Sequence, residues 1–234
     1  MIAKLKTVAL DTPDPAGLAT FYTELMGWQQ IYADDDWVTV TGPDGVRIAF
    51  QRAPDHVPPQ WPSQDHPQQF HLDLYTADRE AATAKAESLG ATKLGGGETW
   101  TTLADPSGHP FDLCSSDHDG FFAVTIDTGE PKMLADFYAE VLGLGRLYDG
   151  DEGSLIGAEG QMQVMFQKVA DYQPPQWPDP AHPQQFHLDT DIEGVDIDEA
   201  ERQVLALGAT KLPGEGDNWR VYADPAGHPF CLCW

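Results

Sequence analysis

Residues 58–74 read PPQWPSQDHPQQFHLDL, and residues 174–190 read PPQWPDPAHPQQFHLDT. Thirteen of the first sixteen positions are identical, at an offset of 116. The same offset pairs ALDTPDPAGLATFY (9–22) with TIDTGEPKMLADFY (125–138). LGATKL recurs at 89–94 and 207–212, an offset of 118. ADPSGHPFDLC (104–114) meets ADPAGHPFCLC (223–233) at 119. An offset that drifts by three residues over the whole length marks a duplication, not scattered similarity. The polar, glycine-containing SSDHDG at 115–120 is the natural junction, so the expected domains are residues 1–117 and 118–234.

Each copy divides again. KLKTVALDT is a short apolar strand. In the segment that follows, Leu18, Phe21, Tyr22, Leu25 and Met26 repeat at helical spacing, and Gly27 stops the helix. WQQIYA, DWVTVTG and VRIAFQR are strands separated by Asp and Gly-Pro turns. Pro54, Pro58, Pro59, Pro62 and Pro67 then forbid a helix and favour a stiff, extended strap. After it the order repeats: strand QQFHLDLY, helix DREAATAKAESLG, strands TKLG, TWTTLA and PFDLCS. Each copy is thus two βαβββ modules bridged by a proline-rich strap. Trp61 and Trp177 either anchor the strap to the body or line a pocket.

Composition narrows the partners. Thirteen Lys and Arg against 38 Asp and Glu give a net charge of −25. There is no basic stripe for nucleic acid, and an anionic membrane surface would repel the chain. No apolar run approaches the roughly 18 residues of a membrane span. No apolar segment with a cleavage site opens the chain, and three cysteines do not build a disulfide framework, so a cytoplasmic protein is expected. Phosphate-loop, dinucleotide and nucleophile-elbow motifs are absent.

In FHLDL and FHLDT, period-two geometry puts His71 with Asp73, and His187 with Asp189, on one strand face. Such a pair serves either as a base with its orienting group or as a buried polar tie. Cys231 and Cys233 also share a face and are either soft-metal ligands or small buried residues. The turn DPSGHP fixes Asp105, Pro106 and Gly108, and leaves His109 and His228 at a loop edge. Trp37, Trp100 and Trp219 are either core or aromatic walls.

Four βαβββ modules in tandem, with HLDL opening a module and DPSGHPFDLC closing it, resemble the vicinal oxygen chelate superfamily: glyoxalases, bleomycin-resistance proteins and extradiol dioxygenases. The resemblance is closest to its glyoxalase-like branch, duplicated. It implies an α+β fold of two tandem domains, each with two modules forming a U-shaped mixed sheet around a cavity. It also implies one metal ligand on each of four strands. Carried over, these positions fall on Lys6 or Phe122, on Gln51 or Gln167 (with Ala49 and Met165 on the same face), on His71 or His187, and on Asp112 or Cys231. Lys6, Gln51, His71 and Asp112 are therefore expected to converge, with Lys6 and Asp112 able to pair, and with Trp37 and Trp100 as walls. His71, Gln51 and Asp112 form a reduced set for a divalent metal in the first domain. Gln167, His187, Asp189, Trp219 and Cys231 form the second site.

Two functions follow from the resemblance. One is a binding protein that sequesters a small organic molecule, such as a cationic or aromatic antibiotic or a metabolite, without a full metal site. The other is a metal-dependent lyase, isomerase or dioxygenase working in the first domain. A third is a metal-free acid–base enzyme using Lys6, His71 and Asp112. A homodimer is compatible with either main reading.

Overall fold

The computed structural model describes residues 1–234 except 43, 44, 64 and 180–182, so the turn expected at 42–43 lies partly outside it. The elements follow the repeat. Module I is β1 (Ala3–Thr12), α1 (Pro15–Met26), β2 (Gln29–Ala33), β3 (Trp37–Thr41) and β4 (Arg47–Arg52). Module II is β5 (Phe70–Thr76), α2 (Arg79–Ser88), β6 (Thr92–Gly96), β7 (Trp100–Ala104) and β8 (Pro110–Ser115). Module III is β9 (Gly120–Thr128), α3 (Pro131–Leu142), β10 (Gly145–Asp149), β11 (Gly153–Gly157) and β12 (Gln163–Lys168). Module IV is β13 (Phe186–Ile192), α4 (Ile197–Ala206), β14 (Thr210–Gly216), β15 (Trp219–Ala223) and β16 (Pro229–Cys233). Helix boundaries have local causes. Asp14 and Asp78 accept backbone N–H groups at the starts of α1 and α2, and Gly27 ends α1 with φ 70°, a conformation that favours glycine.

The strands form two eight-stranded mixed sheets, but each sheet draws on both repeats. The outer sheet runs β14-β15-β16-β13-β1-β4-β3-β2, joining modules I and IV. The inner sheet runs β10-β11-β12-β9-β5-β8-β7-β6, joining modules II and III. The expected union of modules I and II in one sheet is thereby corrected. The cause is connection length. Between Ser115 and Gly120 lie only residues 116–119. Four residues reach about 14 Å at full stretch. That spans β5, whose neighbours β8 and β9 stand about 9.5 Å apart, but not the gap to another sheet. The strap of residues 53–69, 17 residues long, is free to carry the chain from one sheet to the other.

Alternate residues of every central strand face the helices. Leu10, Ile48, Phe50, Phe186 and Leu188 do so in the outer sheet, and Phe70, Leu72, Phe111, Val124 and Ile126 in the inner one, all fully buried. Tyr22 stacks on Phe50 at 5.5 Å and Tyr138 on Phe166 at 5.6 Å, repeating one packing motif under both sheets. Among the described residues the other face of each sheet carries no helix, and it curls into a trough.

Candidate functional site

Why the phrase QQFHLD is written twice is answered where the repeats meet. The backbone N–H of Gln69 donates to Gln185 Oε1 at 3.0 Å, and that of Gln185 donates to Gln69 Oε1 at 2.9 Å. Their amide nitrogens reach Pro183 O and Pro67 O at 3.0 and 2.8 Å. Phe70 and Phe186 stack at 4.4 Å beside this reciprocal pair. The preceding glutamines serve the histidines: Gln68 Nε2 lies 3.4 Å from His71 Nδ1, and Gln184 Nε2 lies 3.4 Å from His187 Nδ1. Each glutamine amide thus faces Nδ1 of its histidine and leaves Nε2 aimed into the trough.

In the inner trough, His71 Nε2 stands 3.6 Å from Asp73 Oδ1 and 4.0 Å from Asp112 Oδ2. These three residues place ligand atoms within 4.8 Å of one another. Thr125 on β9 donates its hydroxyl to Asp73 Oδ2. Burial pushes the Asp112 carboxyl up, against the charge of His71, and Asp112 Oδ1 is buried with no hydrogen-bond partner among the described residues. Asp127, across the sheet, is also raised by burial, with its Oδ1 likewise unpartnered among the described residues. Met165 and Gln167 on β12 pair in register with Thr125 and Asp127.

The outer trough repeats this plan with other residues. His187 Nε2 is 3.4 Å from Asp189 Oδ1, and Cys231 completes a second group within 4.8 Å. Burial alone would lower the His187 pKa, but the hydrogen bond and charge of Asp189, with Asp11 behind it, raise it instead. Burial, then the Asp189 charge, holds the Cys231 thiol far above its ordinary value. Asp11 Oδ1 accepts from Gln184 Nε2 at 3.1 Å. Ala49 and Gln51 pair with Ala9 and Asp11. The Trp37 ring comes within 6.1 Å of the His187 ring, although β3 and β13 would lie about 14 Å apart in a flat sheet, so both side chains lean across a curled trough.

Several sequence expectations change. Lys6 and Gln51 lie in the outer sheet, and His71 and Asp112 in the inner one, so the four do not converge. Lys6 sits at a β-bulge and pairs with Asp191 at 2.9 Å, not with Asp112. Gln51 is no companion of His71 and belongs with His187, while Gln167 belongs with His71. Trp37 and Trp100 wall different troughs; Trp219, in register with Cys233, shares the outer one with Trp37. His109 and His228 do end their loops, one residue before β8 and β16, but they are fully buried. Asp105 accepts from His109 Nδ1 at 3.2 Å and from Tyr22 OH at 3.1 Å, and Asp224 holds His228 and Tyr138 likewise, so these loops are latches onto α1 and α3.

Asp11, Asp127, Gln68, Gln184 and Thr125 were not singled out from the sequence. For the aspartates and glutamines the signal was there, since LDT/IDT and the first glutamine of each QQF recur at the repeat offset, whereas Thr125 stands opposite Ala9 in the repeat and had none. Trp61 lies on the trough side of β6: a Cβ at Gly95 would be 3.5 Å from its Cη2. Trp177 lies equally close to Gly214, beside Val221. Each ring pins its strap and closes one end of a trough.

A family model for the glyoxalase-like domain matches residues 7–114 and again residues 123–233. Among solved structures, glyoxalase I from Zea mays superposes with a TM-score of 0.65 at 17% identity, covering 99% of this chain and 92% of that one. A putative dioxygenase from Bacillus subtilis gives 0.63 at 12% identity, covering 99% and 85%. At such identities the likeness is one of fold. No curated protein matches the chain. With nearly its whole length accounted for by two copies of one domain, this chain belongs to the glyoxalase-like domain family, duplicated in tandem, within the vicinal oxygen chelate superfamily.

Proposed function

We propose that the chain binds a flat organic ligand, cationic or aromatic, in its two troughs and does so without the family's full metal set. One observation carries this reading: large aromatic residues stand exposed on the same sheet faces that carry the buried carboxylates. Tyr32, paired with Thr39, is 53% exposed, and Trp219 is 38% exposed in the outer trough. Tyr148 and Trp100 take the same places in the inner trough, at 55% and 41%. Aromatic faces beside carboxylates favour planar cations. Directly in register with the histidines, the neighbouring strands supply Ala9 and Ala49 in one trough and Thr125 and Met165 in the other, with Asp11 and Asp127 two residues further along.

The test is tryptophan quenching and thermal shift with planar cationic and amphiphilic compounds. A stabilising hit should lose about tenfold in affinity on Trp37→Ala or Trp100→Ala. No hit, or a hit indifferent to both changes, would remove the proposal.

A second reading has its own support in the inner trough. His71, Asp73 and Asp112 offer one imidazole and two carboxylates, a donor set that suits a divalent cation, and the orphaned Asp112 Oδ1 lacks the partner such an ion would be. The ion would act as a Lewis acid on a ligand oxygen. Gln68 would orient the His71 ring, and Thr125 would hold Asp73. Calorimetric titration with Mn²⁺ decides: one site per chain that vanishes in Asp112→Ala favours this reading, and no heat in the wild type rejects it.

A further inference from the structure

The two sheets differ at one end of their central strands. In the outer sheet the chain runs on beyond β1. Ile2 N donates to Val141 O at 2.7 Å, and Glu193 N donates to Ile2 O at 2.9 Å. The Ile2 side chain is 5% exposed, and beneath it Val141, Leu142 and Ala200 are buried. In the inner sheet β9 cannot run on, because residues 116–119 turn it back to β8. His118 stands in the place of Ile2, with its side chain 61% exposed.

The backbone groups that hold Ile2 have counterparts in the inner half, and side chains meet them instead. Leu25 O, equivalent to Val141 O, receives Lys85 Nζ at 3.3 Å. Ala77 N, equivalent to Glu193 N, donates to Asp119 Oδ1 at 2.9 Å. Between them lies a cavity of about 250 Å³, lined by Leu25, Met26, Tyr75, Ala81, Ala82 and Leu113. Met26 and Ala82 are half-buried here, whereas their counterparts Leu142 and Ala200 are closed over.

We propose that this cavity is a docking site for an extended peptide segment of a partner protein, which inserts one branched aliphatic side chain. The peptide N–H would take Leu25 O from Lys85, and its C=O would take Ala77 N from Asp119, as Ile2 does in the outer half. This is short strand addition with a side-chain pocket. Charge adds direction. The displaced Asp119 and neighbouring Asp78 favour basic flanking residues, as Lys4, two residues after Ile2, meets Glu193 at 2.6 Å in the outer half.

The probe is an acetylated, fluorescein-labelled peptide of the sequence MIAKLK, read by fluorescence anisotropy against the full chain. Saturable binding is expected, at least tenfold weaker for the peptide with serine in place of isoleucine, and at least tenfold weaker to Ala82→Leu, which fills the cavity. Binding untouched by Ala82→Leu would mean that the peptide displaces the chain's own Ile2, and would overturn the proposal. So would no saturation, or equal binding of the serine peptide. Should Ala82→Leu fail to fold, hydrogen exchange on the wild type replaces it: peptide-induced slowing at Ala77 and its neighbours supports the site, and slowing confined to other segments overturns it.

Discussion

Gln69→Ala tests the reciprocal joint between the repeats. Gln69 is 6% exposed, and its side chain makes two bonds to the other repeat. Truncation leaves the buried Gln185 N–H without an acceptor, at about 1–3 kcal/mol, and takes a donor from the half-buried Pro183 carbonyl, at about 1 kcal/mol. The expected loss is roughly 2–4 kcal/mol. In a chain of this size each kcal/mol lowers Tm by about 2–4 °C, so a fall of roughly 5–15 °C should appear by calorimetry. Gln60→Ala, in the same repeated phrase but exposed, is the control and should stay within about 0.5 kcal/mol of wild type. Urea midpoints provide the second measure. If Gln69→Ala also stays within about 0.5 kcal/mol, or Gln60→Ala is equally harmful, the joint is not what holds the repeats together.

Two further outcomes are expected. Expressed apart, residues 1–117 and 118–234 each hold half of either sheet, so neither alone should give the near-ultraviolet circular dichroism of the whole, and mixing them should restore it; a monomeric 1–117 fragment with that signal would contradict the cross-repeat pairing. Asp127 has its carboxyl pKa raised by burial, so its contribution to stability is present below the ordinary carboxylate value of 3.8 and is lost as pH rises through the raised one. Asp127→Asn should therefore raise Tm at pH 7, with a gain that shrinks on acidification toward pH 4, and an unchanged or lowered Tm at pH 7 would count against the assignment.

Element types were legible because their causes are local. The spacing of Leu18, Phe21, Tyr22 and Leu25 specifies α1, and Gly27 ends it. His71 with Asp73, and His187 with Asp189, share faces as period two requires. The sharing of sheets was also written in the chain, but in a quantity easily passed over: 17 residues of strap against four of junction. Treating the repeat as the sheet-forming unit put Gln51 beside His71. Asp11 and Asp127 escaped notice for another reason. A single Asp near a strand end looks like turn chemistry, and only the register across β1–β13 and β5–β9 turns it toward a histidine of the other repeat.

The cross-pairing of modules also sets a rule of inheritance. Each trough takes its first module from one repeat and its second from the other. A recombination that overwrote the second repeat with the first would replace one wall of both troughs at once and make them identical. Exchanging only residues 70–115 with 186–233 would instead trade the His-Asp-Asp and His-Asp-Cys clusters between troughs, leaving Trp37 and Gly153 where they stand. Overwriting a single module would change one trough and leave the other untouched, so the module is the unit in which a site is inherited, although the repeat is what was duplicated.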